Sequence, residues 1–178
     1  NKQPVTEEGA VAPNFSSQLC ADWESSAQQF ENLGSRVCCL RTGIVLGEQG
    51  ALGKLLPPFK LGLGGPIATG QQWMPWIHID DMVNIIIYAI KNDISGPVNC
   101  TAPKPVTNKE FAKTLAKVLK RPAIAPMPAV VVKLLFGQMG DELMLQGQCV
   151  IPQKLQQQGY QFTYNNLASA LGQLLNTN

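Results

Sequence analysis

A chain of 178 residues is long enough for one domain with a buried core. Apolar residues at 45% and charged residues at 15% exclude a disordered chain, and a net charge of +2 gives no electrostatic case for a nucleic-acid partner. Five cysteines, odd in number and without metal-ligand spacing, argue against a disulfide framework and for a reducing compartment.

The chain opens "NKQPVTEEGAVAP", a turn-rich acidic stretch that reads like the interior of a loop, so a longer parent protein is expected. No signal-peptide pattern is visible, and no apolar segment reaches the roughly 18 residues that cross a bilayer. The expectation is a soluble, cytoplasmic protein without a membrane partner. Residues 16 to 32 space Leu19, Trp23, Ala27 and Phe30 at helical intervals, with Gly34 as a stop. "RVCCLRTGIVLG" follows as a continuous apolar run bounded by glycine, the pattern of a buried parallel strand, with Cys38 and Cys39 as core. Residues 50 to 72 are rich in Gly and Pro and read as a long ordered loop over a site.

"GQQWMPWIHIDDMVNIIIYAI" then sets Trp73, Trp76, the single histidine His78 and the pair Asp80 and Asp81 ahead of an apolar helix. Met82, Val83, Ile86, Ile87 and Ile90 form its predicted stripe, and the aspartates fit an N-cap and a first-turn carboxylate. One histidine beside two acids, with no second histidine anywhere, does not make a metal set. His78 reads either as a hydrogen-bonded structural residue or as a catalytic one. "GPVNCT" is a further strand. "TNKEFAKTLAKVLKRP" is a helix with a capping box from Thr107 to Glu110, a stripe of Phe111, Leu115, Val118 and Leu119, and a solvated face bearing Lys113, Lys117, Lys120 and Arg121. A helix over 128 to 137, two short helical pieces, a strand "YQFTY" and a last helix complete the pass. This alternation predicts an α/β fold.

"LRTGIVLG", the glycine-rich loop, "WIHIDDMVNIIIYAI" and "GPVNCTAPKPVTNKEFAKTLAKVLKRP" resemble the C-terminal half of an extended short-chain dehydrogenase/reductase. "GLGGPIATGQQWMPWIHI" and "MLQGQCVIPQKLQQQGYQF" resemble its atypical NAD(P)-binding, sugar-nucleotide-epimerase-like branch, with that branch's own C-terminal extension. The resemblance implies the end of a Rossmann-like nucleotide domain over 1–49, a cleft loop, helix and last sheet strand over 50–106, and a smaller substrate-side domain over 107–178. Its phosphate-binding GxxGxxG turn has no counterpart here. Gly62 to Gly65 lack the flanking strand and helix of a phosphate cradle, so about 100 or more upstream residues are expected in the parent.

The resemblance also implies a YxxxK pair on the first helix, but Ser16 and Cys20 stand at those positions, with Glu24 at the following acidic one. Neither supplies the cation that lowers a phenol's pKa. The implied cofactor-side residues are Thr42, Gly43 and Val45; Trp73, Met74 and Trp76 are the implied substrate-side residues and His78 the catalytic candidate. The cofactor that the resemblance implies is NAD or NADP in the full-length protein, with none expected for this fragment alone. The expected partners are a small-molecule substrate, with a nucleotide sugar as the candidate the resemblance implies, and either the missing N-terminal half or a second copy through self-association. Two functions stay open: an oxidoreductase or isomerase of the epimerase type, or a dinucleotide-binding regulatory or sensor protein without catalysis.

Overall fold

Three short two-stranded ladders and the helices beside them organise the chain, which the computed structural model describes for residues 3–130, 132, 134 and 145–175. Helix α1 (Phe15–Gln28) begins where the Asn14 side chain accepts the Ser17 N–H at 2.8 Å, and a 3-10 turn (Gln29–Leu33) ends at Gly34 in the left-handed region. The long apolar run predicted as one strand is two: β1 (Cys38–Thr42) and β2 (Ile44–Leu46). Next come α2 (Ala51–Lys60), β3 (Trp73–Met74), β4 (Trp76–His78), α3 (Ile79–Lys91) and β5 (Gly96–Cys100). The remaining described elements are β6 (Val106–Thr107), α4 (Asn108–Val118), α5 (Gln153–Gln157) and α6 (Leu167–Leu175).

The break at Gly43 has a physical cause. β1 pairs in parallel with β5, Cys38 opposite Gly96 through Thr42 opposite Cys100, whereas β2 pairs in parallel with β4, Ile44 opposite Trp76. At the changeover the Gly43 N–H donates to the Cys100 carbonyl at 3.1 Å and the Ile44 N–H to the Pro75 carbonyl at 2.8 Å. A Cβ on residue 43 would lie 3.0 Å from both the Pro75 oxygen and the Thr101 methyl, so glycine is what lets the chain switch partners there. β3 and β6 form the third, antiparallel ladder.

Two apolar clusters hold these elements together. Leu46, Leu52, Phe59, Trp76, Phe111, Leu115 and Leu171 join α2, α4 and α6 to the strands; Ile77, Met82, Ile85, Val98, Cys100 and Leu155 join α3 and α5 to them. The capping box of α4 is present as predicted, with Phe111 and Leu115 buried. Among the described residues no helix is long and apolar enough to cross a membrane.

Several expectations need correction. The segment read as loop from 50 contains α2, which persists although Pro57 and Pro58 each remove a backbone donor, because Leu52 and Phe59 anchor it in the core. The stripe read on α3 is rotated: Met82, Ile85 and Ala89 face the core, whereas Val83, Ile86, Ile87 and Ile90 are 46%, 39%, 42% and 71% exposed. The apolar spacing of α1 gives no buried face either, since Trp23 is 65% and Phe30 58% exposed. "YQFTY" forms no strand; it is a segment without regular structure whose Tyr160 and Phe162 pack against the α3 cluster. Half of the helix expected over 128–137, and most of the first of the two short helical pieces, fall outside the described residues.

Replacing Gly43 with Ala should lower stability by about 1–3 kcal/mol through overpacking at the strand switch. A urea titration reads it; an unchanged midpoint would show that Pro75 and Thr101 yield freely.

Candidate functional site

The corner from β4 into α3 answers what the clustered Trp, His and Asp residues do. His78 has extended backbone angles and is itself the N-cap of α3: its Nδ1 accepts the Asp80 N–H at 3.1 Å. This corrects the expected capping role of Asp80, whose side chain is 55% exposed and sits in the first turn near the positive end of the helix dipole. With Nδ1 accepting, the neutral ring carries its proton on Nε2, which lies 3.0 Å from Oε1 of Gln173 on α6. The 3.6 Å approach of Nδ1 to the Asp80 carboxylate is therefore a by-product of the cap rather than an ion pair. One face of the ring stacks on Tyr164 at 3.8 Å between centroids, and no part of His78 reaches solvent.

Asp81 is equally buried. Its two oxygens accept the backbone N–H groups of Thr163 and Tyr164, both at 2.8 Å. The segment that failed to become a strand thus receives its hydrogen bonds from a carboxylate instead of a ladder. Tyr160 donates its hydroxyl to the Asp81 carbonyl at 3.4 Å, and burial, with the Asp81 charge second, pushes its pKa up to about 12. That direction is opposite to what a proton-donating phenol requires.

The first helix is tied down by charge. Glu24 grips Arg41 of β1 with two bonds of 2.7 Å, and Arg41 donates a third to the Glu7 carbonyl at 2.9 Å. Glu7 in turn accepts the Asn99 and Lys154 N–H groups on one carboxylate oxygen. Ser16 and Cys20 lie on the same helix, Cys20 exposed. Burial, the leading cause, raises the thiol pKa values of Cys38, Cys39, Cys149 and Cys100, the last to about 12, so none of these four is an activated thiolate. Among the described residues no group of three or more His, Cys, Asp or Glu could hold a metal.

An open cleft of about 530 Å³ lies between three separated stretches: Ala12 and Asn14 before α1, residues 69–73, and residues 145–148. Asn108, at the start of α4, holds its central wall, accepting the Ile67 N–H at 2.7 Å on Oδ1 while its backbone N–H donates to the Gln72 carbonyl. Gly70 takes a positive φ of 68° beside Lys109. The third wall approaches more closely still: a Cβ on Gly147 would overlap the backbone of Trp73.

Of the residues singled out from sequence, Trp73 lines this cleft. Met74, next to it, is half-buried and its sulfur accepts from the Asn108 amide at 3.6 Å. Trp76 is in the core, away from the cleft. Thr42 is exposed at the end of β1, Gly43 makes the strand switch, and Val45 packs against the α3 cluster. Asn14, Thr69, Gln71 and Gln148 of the cleft were not singled out, being polar residues without chemistry of their own; the quoted stretch holding Gln146, Gly147 and Gln148 was the one available signal.

A family profile described as "NAD dependent epimerase/dehydratase family" matches residues 5–100, and one described as "Domain of unknown function (DUF1731)" matches 127–174. The chain is 42% identical over 176 residues to the epimerase family protein YfhF of Bacillus subtilis, covering 98% of this chain and 58% of that protein. It is 42% identical over 164 residues to the human epimerase family protein SDR39U1, covering 91% and 56%. The crystal structure of human SDR39U1 (isoform 2) with NADPH superposes with a TM-score of 0.94 at 37% identity, over 99% of this chain and 61% of that one. A nucleoside-diphosphate sugar epimerase from Corynebacterium glutamicum superposes with a TM-score of 0.77 at 31% identity, over 98% and 34%. The chain thus spans 58% and 56% of the length of these two curated relatives.

Asp81→Ala should destabilise by about 3 kcal/mol, because two charge-assisted bonds vanish and two partly buried N–H groups lose their acceptor. Asp80→Ala should change stability by no more than about 1 kcal/mol. Chemical denaturation of both variants checks the order, and equal losses would contradict the assignment of the buried role to Asp81.

Proposed function

The chain belongs to the NAD dependent epimerase/dehydratase family, and from that premise we propose that it is the substrate-side portion of an NAD(P)-dependent oxidoreductase or epimerase-like protein acting on a small molecule. The observation that carries this reading is the polar cleft with Trp73 on its wall, walled on one side by the extension matched over 127–174. Human SDR39U1, similar over nearly this whole chain, was solved with NADPH, which supports a nicotinamide dinucleotide for the parent protein. When bound, that cofactor supplies the hydride acceptor and donor. Thr42, exposed at the carboxyl end of a parallel strand, with Gly43 and the Val45 backbone behind it, is our cofactor-facing element, in keeping with ligands binding off strand ends.

His78 acts in this scheme as a positioning residue. Both of its nitrogens are engaged, its face is covered by Tyr164, and freeing it for proton transfer would release the cap of α3. Neither Ser16 nor Cys20 replaces the missing Tyr and Lys, so the proton donor belongs to a part of the parent protein other than these side chains. The glycines at 64 and 65 serve packing: a Cβ on Gly64 would overlap the Phe59 ring, and one on Gly65 the Ala125 carbonyl.

Residues 1–178 alone should bind NADPH at least about 100-fold more weakly than a version extended to the length of the relatives, since the pyrophosphate is normally anchored at a glycine-rich helix N-terminus. Fluorescence titration of both proteins, followed by turnover assays of the longer one against small carbonyls and nucleotide sugars, tests the reading. Equal NADPH affinity would overturn the division of labour, and failure of the longer protein to bind NADPH would overturn the cofactor assignment.

The exposed stripe of Val83, Ile86, Ile87 and Ile90, with Trp23 and Phe30 on α1 and the β1 edge away from β5, should be covered by the rest of a longer chain or by a second copy. Light scattering at tens of micromolar should give a mass above the 19.3 kDa of one chain. Ile86→Lys with Ile90→Lys should lower that mass, and a wild-type monomer would refute self-association.

A further inference from the structure

The outer face of α4 and the turns beside it carry a concentration of charge that neither the core nor the cleft uses. Lys109, Lys113, Lys117 and Lys120 follow one another at helical intervals, so they form one row along α4 and into its closing turn, and all four are exposed. Exposed Lys104 and Arg121 flank the row. The net charge of the whole chain is only +2, so the row is a local feature rather than a share of general basicity. Glu110, the acid within α4, is committed to the capping box, its carboxylate accepting the Thr107 N–H at 2.7 Å. Among the described residues none of these cations forms an ion pair. Lys120 is also strained: its φ of 54° lies in the left-handed region, where a helix closure favours glycine. The Arg121 N–H donates to the Ala116 carbonyl across that turn at 2.9 Å, so the closure is complete with a lysine at the position a glycine would suit better.

Beyond the turn the row meets aliphatic side chains in water. Residues 62–66 run beside 122–127: the Ala125 N–H donates to the Gly64 carbonyl at 3.3 Å, the Met127 N–H donates to the Pro66 carbonyl at 2.9 Å, and a Cβ on Gly62 would touch the Pro122 ring. Leu61, Leu63 and Ile124 on these two strips are 75%, 63% and 75% exposed. Lys60, Lys120 and Arg121 stand close to them in the chain, all exposed. A nucleic acid would engage the cations and leave three aliphatic side chains with no aromatic platform among them to stack a base. Strands added upstream would join the free edge of β1, whose Cys38 and Leu40 pack against the apolar cluster of α3 and α5, whereas α2 and α4 belong to the other cluster, so that addition leaves this face open. An anionic bilayer surface matches both parts, its headgroups neutralising the cations while the aliphatic side chains enter the acyl boundary. Such contact with one leaflet needs no spanning helix.

We propose that the outer face of α4 from Lys109 to Arg121, together with Leu61, Leu63 and Ile124, docks the protein reversibly on a lipid bilayer rich in anionic headgroups. The surface is separate from the cleft lined by Trp73 and needs no cofactor, so it stands or falls apart from the family-level function.

The test is flotation of the 178-residue chain with vesicles on a density gradient, which separates vesicle-bound protein from self-associated protein. Phosphatidylcholine vesicles containing about one-third phosphatidylserine should carry the chain upward, pure phosphatidylcholine should not, and raising the salt to about 0.5 M should release most of it. Lys113→Gln with Lys117→Gln and Arg121→Gln should weaken partition about a hundredfold, roughly fivefold for each charge removed. Leu61→Ser with Leu63→Ser and Ile124→Ser should weaken it at least about tenfold. All six side chains are on the surface, so both triple variants should keep the parent's thermal midpoint. Lys120→Gly should raise the thermal midpoint while weakening flotation, opposite movements that a lysine with only a structural role would not give. A folded parent chain that stays at the bottom with the anionic vesicles would overturn the proposal, as would equal flotation with pure phosphatidylcholine or flotation unchanged in the charge variant. Binding to heparin or a short DNA duplex without binding to vesicles would assign the face to a soluble polyanion and overturn the bilayer as its partner.

Discussion

Asp81 offers its carboxylate to two backbone N–H groups some 82 residues further along the chain, and the architecture turns on that contact. The stretch from 158 to 166 contains no helix or strand, so its backbone donors find no ladder. A buried donor without an acceptor is expensive, and one carboxylate serving two of them is an economical solution. Once Thr163 and Tyr164 are held there, Tyr164 lies flat on His78 and α6 brings Gln173 to the other ring nitrogen. The same imidazole caps α3. A start signal for one helix has thereby become the socket for the C-terminal part of the chain, and removing the His or the Asp loosens both at once.

The second constraint acts on the strands. A single residue, Gly43, lets one extended run serve two neighbours, giving β5 its partner on one side of the switch and β4 on the other. Because β4 runs directly into His78 and Asp81, the position of the socket is set by the register of β2 with β4. The N-terminal strip reinforces it: Val5 bridges Val150, and Glu7 caps the backbone of both Asn99 and Lys154. Glu24 and Arg41 then fasten α1, which buries no side chain of its own, to this frame. A helix with an apolar face in water and an ion pair to β1 is placed by electrostatics here.

What the sequence made legible follows from where each signal originates. The β character of the run that holds β1 and β2, the strand β5, the capping box of α4 and the stop at Gly34 are local signals and appear; the split of that run at Gly43 is not local and was not read. The α/β class follows from the same alternation. The rotation of α3 was illegible because the helix is apolar nearly all round: Met82, Ile85 and Ala89 are as hydrophobic in print as Val83, Ile86 and Ile90, and only packing tells them apart. α2 was hidden by Pro57 and Pro58, whose local preference is overruled by Leu52 and Phe59. "YQFTY" has β-forming residues yet pairs with no strand among the described residues, and Asp81 accepts the N–H groups of Thr163 and Tyr164 instead. Trp73 was legible as a cleft residue only through the resemblance. Gln71 and Gln148 were not, since an amide on a loop carries no pattern until a second wall stands opposite it.

That second wall also shows how closely the C-terminal extension is tied to the rest. Residues 145–148 meet Trp73 backbone to backbone, a contact that tolerates no side chain and therefore little independent drift. Cys149 and Ile151 continue straight from this wall into the bridge with Val5, and Lys154 into the bond with Glu7. The cleft wall is thus the edge of the same hydrogen-bonded strip that locks β5 in place. A loop hung outside the frame could widen or narrow the cleft with each ligand; a wall built from the frame fixes the spacing between its amides.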